Sequence, residues 1–323
     1  MYDYFMEELV WQMFILGCGE HLEEALKKGL GGVIFFTKDI HNEVQFKNLI
    51  FDINSKAIIK PFLSIDQEGG RVERSENIRP RRLSASLAFQ KGEDFLSSQS
   101  EEISKELLNW GINLNFAPCI DVNTNPINPI IGERSFSNNP EDVIKGMNIF
   151  INASRKNNII PCVKHFPGHG DASQDSHLTL PTIDLPFEKM EKIHITPFKN
   201  AIKNNIEMIM IAHLHCKCFD KENIPASLSQ NVIKYLRNTL NYNGIAISDD
   251  MYMKGVQSYE SIEAVIKGIE AGLDMFIFRE SDKKTIDMIN KLSKIIMENE
   301  NLKLKVKISN QRIKKLKNKF HII

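Results

Sequence analysis

The sequence predicts a single-domain α/β fold, a (β/α)8 barrel with a C-terminal helical tail, and three observations predict it. Eight short apolar runs alternate with amphipathic stretches, the pattern of strand–helix units around a parallel sheet. The runs are apolar nearly throughout, as strands covered on both faces must be. No G-x-G-x-x-G opens a helix after the first run, which disfavours the open, doubly wound sheet. The 323 residues could divide into two average domains, but α/β barrels of about 250 residues or more fold as one. Residues 1–323 are therefore expected to form one unit.

In chain order, the strand-like runs are 12–17, 32–36, 62–66, 112–118, 159–166, 208–213, 244–249 and 275–278. The first ends in Ile15-Leu16-Gly17-Cys18, which imitates a lipoprotein cleavage box. The start of the chain carries Asp3, Glu7 and Glu8 before any Lys or Arg, whereas a secretory signal starts basic, so a buried strand ending in Gly-Cys is expected. The helical stretches are 42–54, 94–110, 140–156, 187–204, 229–240 and 261–271. From about residue 282 the tail reads as one or two charged helices. Lys303, Lys305, Lys307, Arg312, Lys314, Lys315, Lys317 and Lys319 make it locally basic, as a solvated helix face would be.

Composition excludes several classes. Lys plus Arg is 41 and Asp plus Glu is 41, a balance that supports neither a nucleic-acid binder nor a polybasic membrane-surface protein. No apolar run approaches the roughly 18 residues of a membrane span. The cysteines, at 18, 119, 162, 216 and 218, are odd in number, and reduced thiols in a cytoplasm-like compartment fit a chain of this size. A cytoplasmic location is expected.

The informative polar residues close the apolar runs. Asp66 ends one and is followed by Gln67-Glu68-Gly69-Gly70-Arg71, and Asp121 follows another. Lys164-His165, His213 and Asp249-Asp250 end three more. In a barrel these ends share one mouth, where the chemistry of the fold sits. The segment 164–177 is densest, and Pro167, Gly168 and Gly170 make it a loop. Asp175 and His177 lie two apart there, so on extended backbone both point the same way, as a carboxylate–imidazole acid/base or as a hydrogen-bonded staple of the loop. A carboxylate at the end of the Asp249 run can be a nucleophile, a metal ligand or a helix cap. His165, His169, Asp171, Asp175 and His177, or His213-x-His215-Cys216-x-Cys218, could be metal clusters. Neither spacing matches H-E-x-x-H or paired C-x-x-C, and no metal is expected. Cys216 and Cys218 read as ordinary, partly buried thiols.

Six segments then stand in order: Ile65-Asp66-Gln67-Glu68-Gly69-Gly70-Arg71-Val72, Asn115-Phe116-Ala117-Pro118 with Asp121-Val122, Gly132-Glu133-Arg134-Ser135-Phe136, Lys164-His165-Phe166-Pro167-Gly168-His169-Gly170, Asp175-Ser176-His177 and Ser248-Asp249-Asp250-Met251. Over about residues 5–280 the chain resembles the glycoside hydrolase family 3 β-N-acetylhexosaminidases, in particular the short, cytoplasmic enzymes of bacterial cell-wall recycling. The resemblance implies Asp249 as the nucleophile of a retaining mechanism and His177 as general acid/base with Asp175 as its partner. It implies Asp66, Arg74, Arg134, Lys164 and His165 as residues holding N-acetylglucosamine, with His213 lining the same pocket and Asp121 in a structural or binding role. It further implies a small-molecule substrate, a peptidoglycan fragment (an anhydromuropeptide), with no cofactor, no metal and no obligate protein partner. Ala172 stands where many relatives have Thr, and Met251 where Leu is commoner. Arg79, Arg81 and Arg82 make 75–82 unusually basic, either to meet an acidic aglycone such as a muramic-acid peptide or as a surface loop. A phosphorylase is chemically conceivable, because a neutral imidazole does not repel an incoming phosphate. A non-catalytic sugar-binding protein is the alternative from another class.

Overall fold

The computed structural model describes residues 2–172 and 180–323. Eight parallel strands close a barrel in chain order: β1 (Phe14–Gly17), β2 (Gly32–Phe35), β3 (Phe62–Ile65), β4 (Leu114–Asn115), β5 (Ile160–Phe166), β6 (Met208–Ile211), β7 (Ile245–Asp250) and β8 (Met275–Phe278). Closure is between β1 and β8, with Phe14 opposite Phe276. Strand side chains are buried on both faces, which is why the runs read as continuously apolar. Gly17 ends β1 where a Cβ would strike the Arg279 carbonyl, so the Gly-Cys box is the end of a buried strand.

Helices surround the sheet, and the sequence marks many of their ends. Asn42, Asn139 and Asp282 each accept a hydrogen bond from the first turn of the helix that follows. Gly111 and Gly272 stop Glu93–Trp110 and Ser261–Ala271 in the left-handed region, at φ 91° and 112°. The expected helix over 187–204 is interrupted. Pro197 has no N–H to give, Ile195 N bonds Met190 O five residues back, and Thr196 Oγ1 takes the Lys192 carbonyl. The run 112–118 is regular strand only at Leu114–Asn115, although Phe116 N still donates to the Ile65 carbonyl and the Ala117 carbonyl accepts from Cys162 N; Pro118 has no N–H to continue the ladder. The helices Tyr2–Trp11 and Leu22–Lys27 were not among the expected elements. No described helix is long and apolar enough to cross a membrane.

The tail is solvated on one face, where Lys307, Lys314 and Lys315 are exposed, and buried on the other. Its second helix, Glu300–Lys319, lies across the bottom of the barrel, against residues that precede the strands. Arg312 pairs with Asp274 (2.9 Å), Lys319 with Glu207 (2.7 Å), and Asn310 donates to the Leu9 carbonyl (2.8 Å). Lys317 is buried, and its Nζ donates to Gln12 Oε1 (2.8 Å) and the Lys60 carbonyl (2.9 Å) over the Phe62 ring. It has no carboxylate partner among the described residues, and burial lowers its pKa from 10.5 to about 7. Between those values the unfolded chain binds the proton that the folded chain has lost, so stability should rise with pH across that window. Urea midpoints of the native protein should therefore rise from about pH 7 to about pH 10, and Lys317→Met should flatten the rise. An equal rise in both proteins would assign it to other groups.

Candidate active site

The mouth is assembled from strand ends. Asp66 and Glu68 follow β3 two residues apart, and their carboxylates turn toward one cation. Lys164, near the end of β5, lies 2.7 Å from Asp66 Oδ1 and 2.6 Å from Glu68 Oε1. Arg134, on the short turn Gly132–Arg134, grips both oxygens of Glu68 through Nε and Nη2, each at 2.9 Å, the bidentate geometry a guanidinium favours. Arg74 reaches Asp66 at 3.4 Å, with its guanidinium over the Phe36 ring. Two carboxylates thus face three cations. Burial alone would raise the Glu68 pKa, but Arg134 and Lys164 outweigh it and hold Glu68 well below the usual carboxylate range. Burial alone would strip the proton from Lys164, but Asp66 and Glu68 hold it on.

Asp121 lies beneath this layer, fully buried. Its Oδ2 accepts from His165 N (3.1 Å) and faces His165 Nδ1 at 2.7 Å, while Oδ1 accepts from His169 N (2.6 Å). Burial works against its charge, but His165 and His169 lower its pKa to about 2. Asp121 is therefore a structural carboxylate. It fixes the His165 ring and leaves Nε2 facing Arg134 Nη2 at 3.5 Å. Cys119, Asp121 and His165 lie close enough to suggest metal ligands. Both Asp121 oxygens are already hydrogen-bonded, however, and burial followed by the Asp121 charge pushes the Cys119 thiol up, away from the thiolate a metal would need.

The two carboxylates ending β7 divide their work. Asp250 accepts from Tyr252 N (3.1 Å), Arg279 N (3.2 Å) and Arg279 Nη1 (3.0 Å), so it anchors the loops around it; burial raises its pKa to about 6. Asp249 is half-buried, and one of its oxygens accepts from the Asp250 N–H at 2.8 Å. Burial opposes its ionisation, but His165, His213, that N–H and Lys164 together hold its pKa below 3.8. His213 follows β6, with Nδ1 on Ser227 Oγ at 2.7 Å. Its buried Nε2 has no partner among the described residues, and burial lowers its pKa, which keeps the ring neutral.

The structure thus gathers Asp66, Arg74, Arg134, Lys164, His165, His213 and Asp249 at one mouth. Asp175 and His177 lie outside the described residues. The second suggested metal cluster is split, because His213 bonds Ser227 and His215 Nε2 bonds the Asp220 carbonyl. The basic stretch does not present free charge to an acidic aglycone. Arg79 and Arg82 pair with Glu106, Arg82 also with Glu73, and Arg81 with Glu76. Two residues escaped the sequence reading. Glu68 could have been found from its i, i+2 spacing to Asp66; Ser227, fourteen residues beyond His213, carried no signal.

Comparison with known proteins agrees with this architecture. The glycosyl hydrolase family 3 N-terminal domain matches residues 7–316. A β-hexosaminidase of Actinobacillus pleuropneumoniae serotype 5b (strain L20) is 34% identical over 285 residues, which cover 84% of this chain and 80% of that protein. β-Hexosaminidase A of Pseudoalteromonas piscicida is 33% identical over 76% of this chain, which spans only 45% of that protein. A solved glycoside hydrolase family 3 β-N-acetylglucosaminidase from Paenibacillus sp. str. FPU-7 superposes with a TM-score of 0.92 at 28% identity, over 98% of this chain and 62% of its own. With the family's N-terminal domain matched over 7–316 and a closed barrel carrying its polar residues at one mouth, the chain belongs to glycosyl hydrolase family 3.

Proposed function

We propose that the chain is a retaining exo-β-N-acetylglucosaminidase that releases terminal N-acetylglucosamine from peptidoglycan fragments (anhydromuropeptides) in the cytoplasm, with residues 1–323 working as one catalytic domain. The observation that carries the reading is the setting of Asp249, a half-buried carboxylate kept ionised beside His165, His213 and Lys164. An anionic oxygen so placed can attack an anomeric carbon. The glycosyl-enzyme ester forms as the bond to the aglycone oxygen breaks, and water then returns the sugar with its configuration retained. His177, paired with Asp175, would give its proton to the departing oxygen in the first step and take one from water in the second. Asp66 would accept hydrogen bonds from sugar hydroxyls, and Lys164, Arg74, Arg134 and His165 would supply donors around them. No metal or organic cofactor enters either step. The names borne by the Actinobacillus and Paenibacillus relatives support the same substrate class.

The test is hydrolysis of an aryl N-acetyl-β-glucosaminide against the matching β-glucoside, with and without chelator, in phosphate and in a non-phosphate buffer. Turnover of the acetamido sugar alone, unaffected by chelator and yielding free sugar, is the expected result. A sugar 1-phosphate product would make the protein a phosphorylase, and activity on neither substrate would overturn the reading.

A further inference from the structure

The loop after β6 holds two thiols that the proposed chemistry does not use. Cys216 and Cys218 place their sulfurs 3.4 Å apart, and a disulfide needs about 2.05 Å. Cys216 is buried and Cys218 half-buried. Cys216 ends the short strand His215–Cys216, which pairs with Thr182–Ile183, so Cys218 is the partner free to move. We propose that Cys216 and Cys218 are an oxidation site for hydrogen peroxide, which closes them to an intramolecular disulfide, and that closure weakens catalysis through His213.

The chemistry balances with peroxide as the oxidant. The Cys218 sulfur attacks one peroxide oxygen, giving a sulfenic acid and one water. The Cys216 sulfur then attacks Cys218 and expels a second water as the S–S bond forms, so two thiols are oxidised and one peroxide is reduced. The partly exposed sulfur is the better nucleophile, because the hydrogen bond with Cys216 holds Cys218 below the ordinary thiol pKa. The other cysteines are poorer targets. Cys119 and Cys162 are buried, and burial pushes the Cys18 thiol up to about 12.

A polar path joins the thiols to the mouth. Phe219 N and Asp220 N both donate to the Cys216 carbonyl (3.0 and 3.2 Å), which folds 216–220 into one turn. The Asp220 carboxylate accepts from Ser229 Oγ and Asn231 Nδ2. Two residues before Ser229, Ser227 holds His213 Nδ1. Drawing Cys218 onto Cys216 shifts this turn and the Asp220 hold on Ser229, and with it the hydroxyl that orients His213.

The test is peroxide treatment of the full chain, read by intact mass, peptide mapping and turnover of an aryl N-acetyl-β-glucosaminide. We expect the loss of two hydrogens, mapped to 216–218, together with a several-fold fall in kcat/KM that dithiothreitol reverses. Cys218→Ser, and separately Cys216→Ala, should show neither change. Added oxygen without the hydrogen loss would overturn the proposal, as would a disulfide with unchanged kcat/KM or an equal fall in the variants. The mass readout needs no turnover, so an inactive starting protein would count against the proposed function and not against the thiol pair.

Discussion

Asp249→Asn is expected to lower kcat on the order of 10⁴-fold or more, the scale seen when a nucleophile is removed from groups that act as a unit, with the thermal midpoint nearly unchanged. The amide keeps the shape of the carboxylate and can still accept from the Asp250 N–H, but it cannot form the ester. Because His165, His213, the Asp250 N–H and Lys164 hold Asp249 below 3.8, the acid limb of the native pH–rate profile should belong to other groups. A small anion such as azide should partly restore turnover in Asp249→Gly by entering the emptied space. Near-native kcat in Asp249→Asn would overturn the assignment of the nucleophile. Loss of kcat together with a collapsed melting curve would show that the substitution had unfolded the barrel.

Lys164→Met should cost about 3–5 kcal/mol of stability at neutral pH, the range for breaking a buried ion pair from one side. Methionine fills a similar volume but leaves Asp66 without its closest cation and Glu68 with Arg134 alone. The pH dependence follows from Glu68, whose pKa is held far below 4.5 when the native protein is folded. That hold stabilises the native protein above about pH 4.5 and is lost as the pH falls below it. The gap between native protein and variant should therefore be widest near neutrality and narrow in acid. Urea unfolding at about pH 7 and about pH 3 would measure it. A gap under about 1 kcal/mol at neutrality would place the pair in the range of exposed salt bridges, contrary to the 2% exposure of Lys164.

The barrel and much of its mouth were legible because charge interrupts apolar strands only where the fold needs it. Asp66, Lys164, His213 and Asp249 each end such a run, and period-two spacing would have added Glu68. The neutralisation of Arg79 and Arg82 was not legible, because Glu106 comes from a helix more than twenty residues away and meets them only in the folded chain. In the tail, the burial of Lys317 was not legible for a related reason. A lysine that bonds a glutamine and a carbonyl looks, in sequence, like any solvated lysine. Helix 187–204 was read through its amphipathic pattern, which Pro197 interrupts without abolishing.

The clasp between Lys317 and Gln12 also bears on how the protein is made. The two residues are 305 apart, and ribosomes add about 5–20 residues per second. About 15–60 s therefore separates the emergence of Gln12 from that of Lys317 at that pace. For most of that interval, from the emergence of β2 until that of β8, β1 has β2 beside it but not β8, and its outer edge of Phe14, Ile15 and Leu16 is unpaired. The edge of β1 is thus covered only once β8 is made, and the clasp between Gln12 and Lys317 forms last.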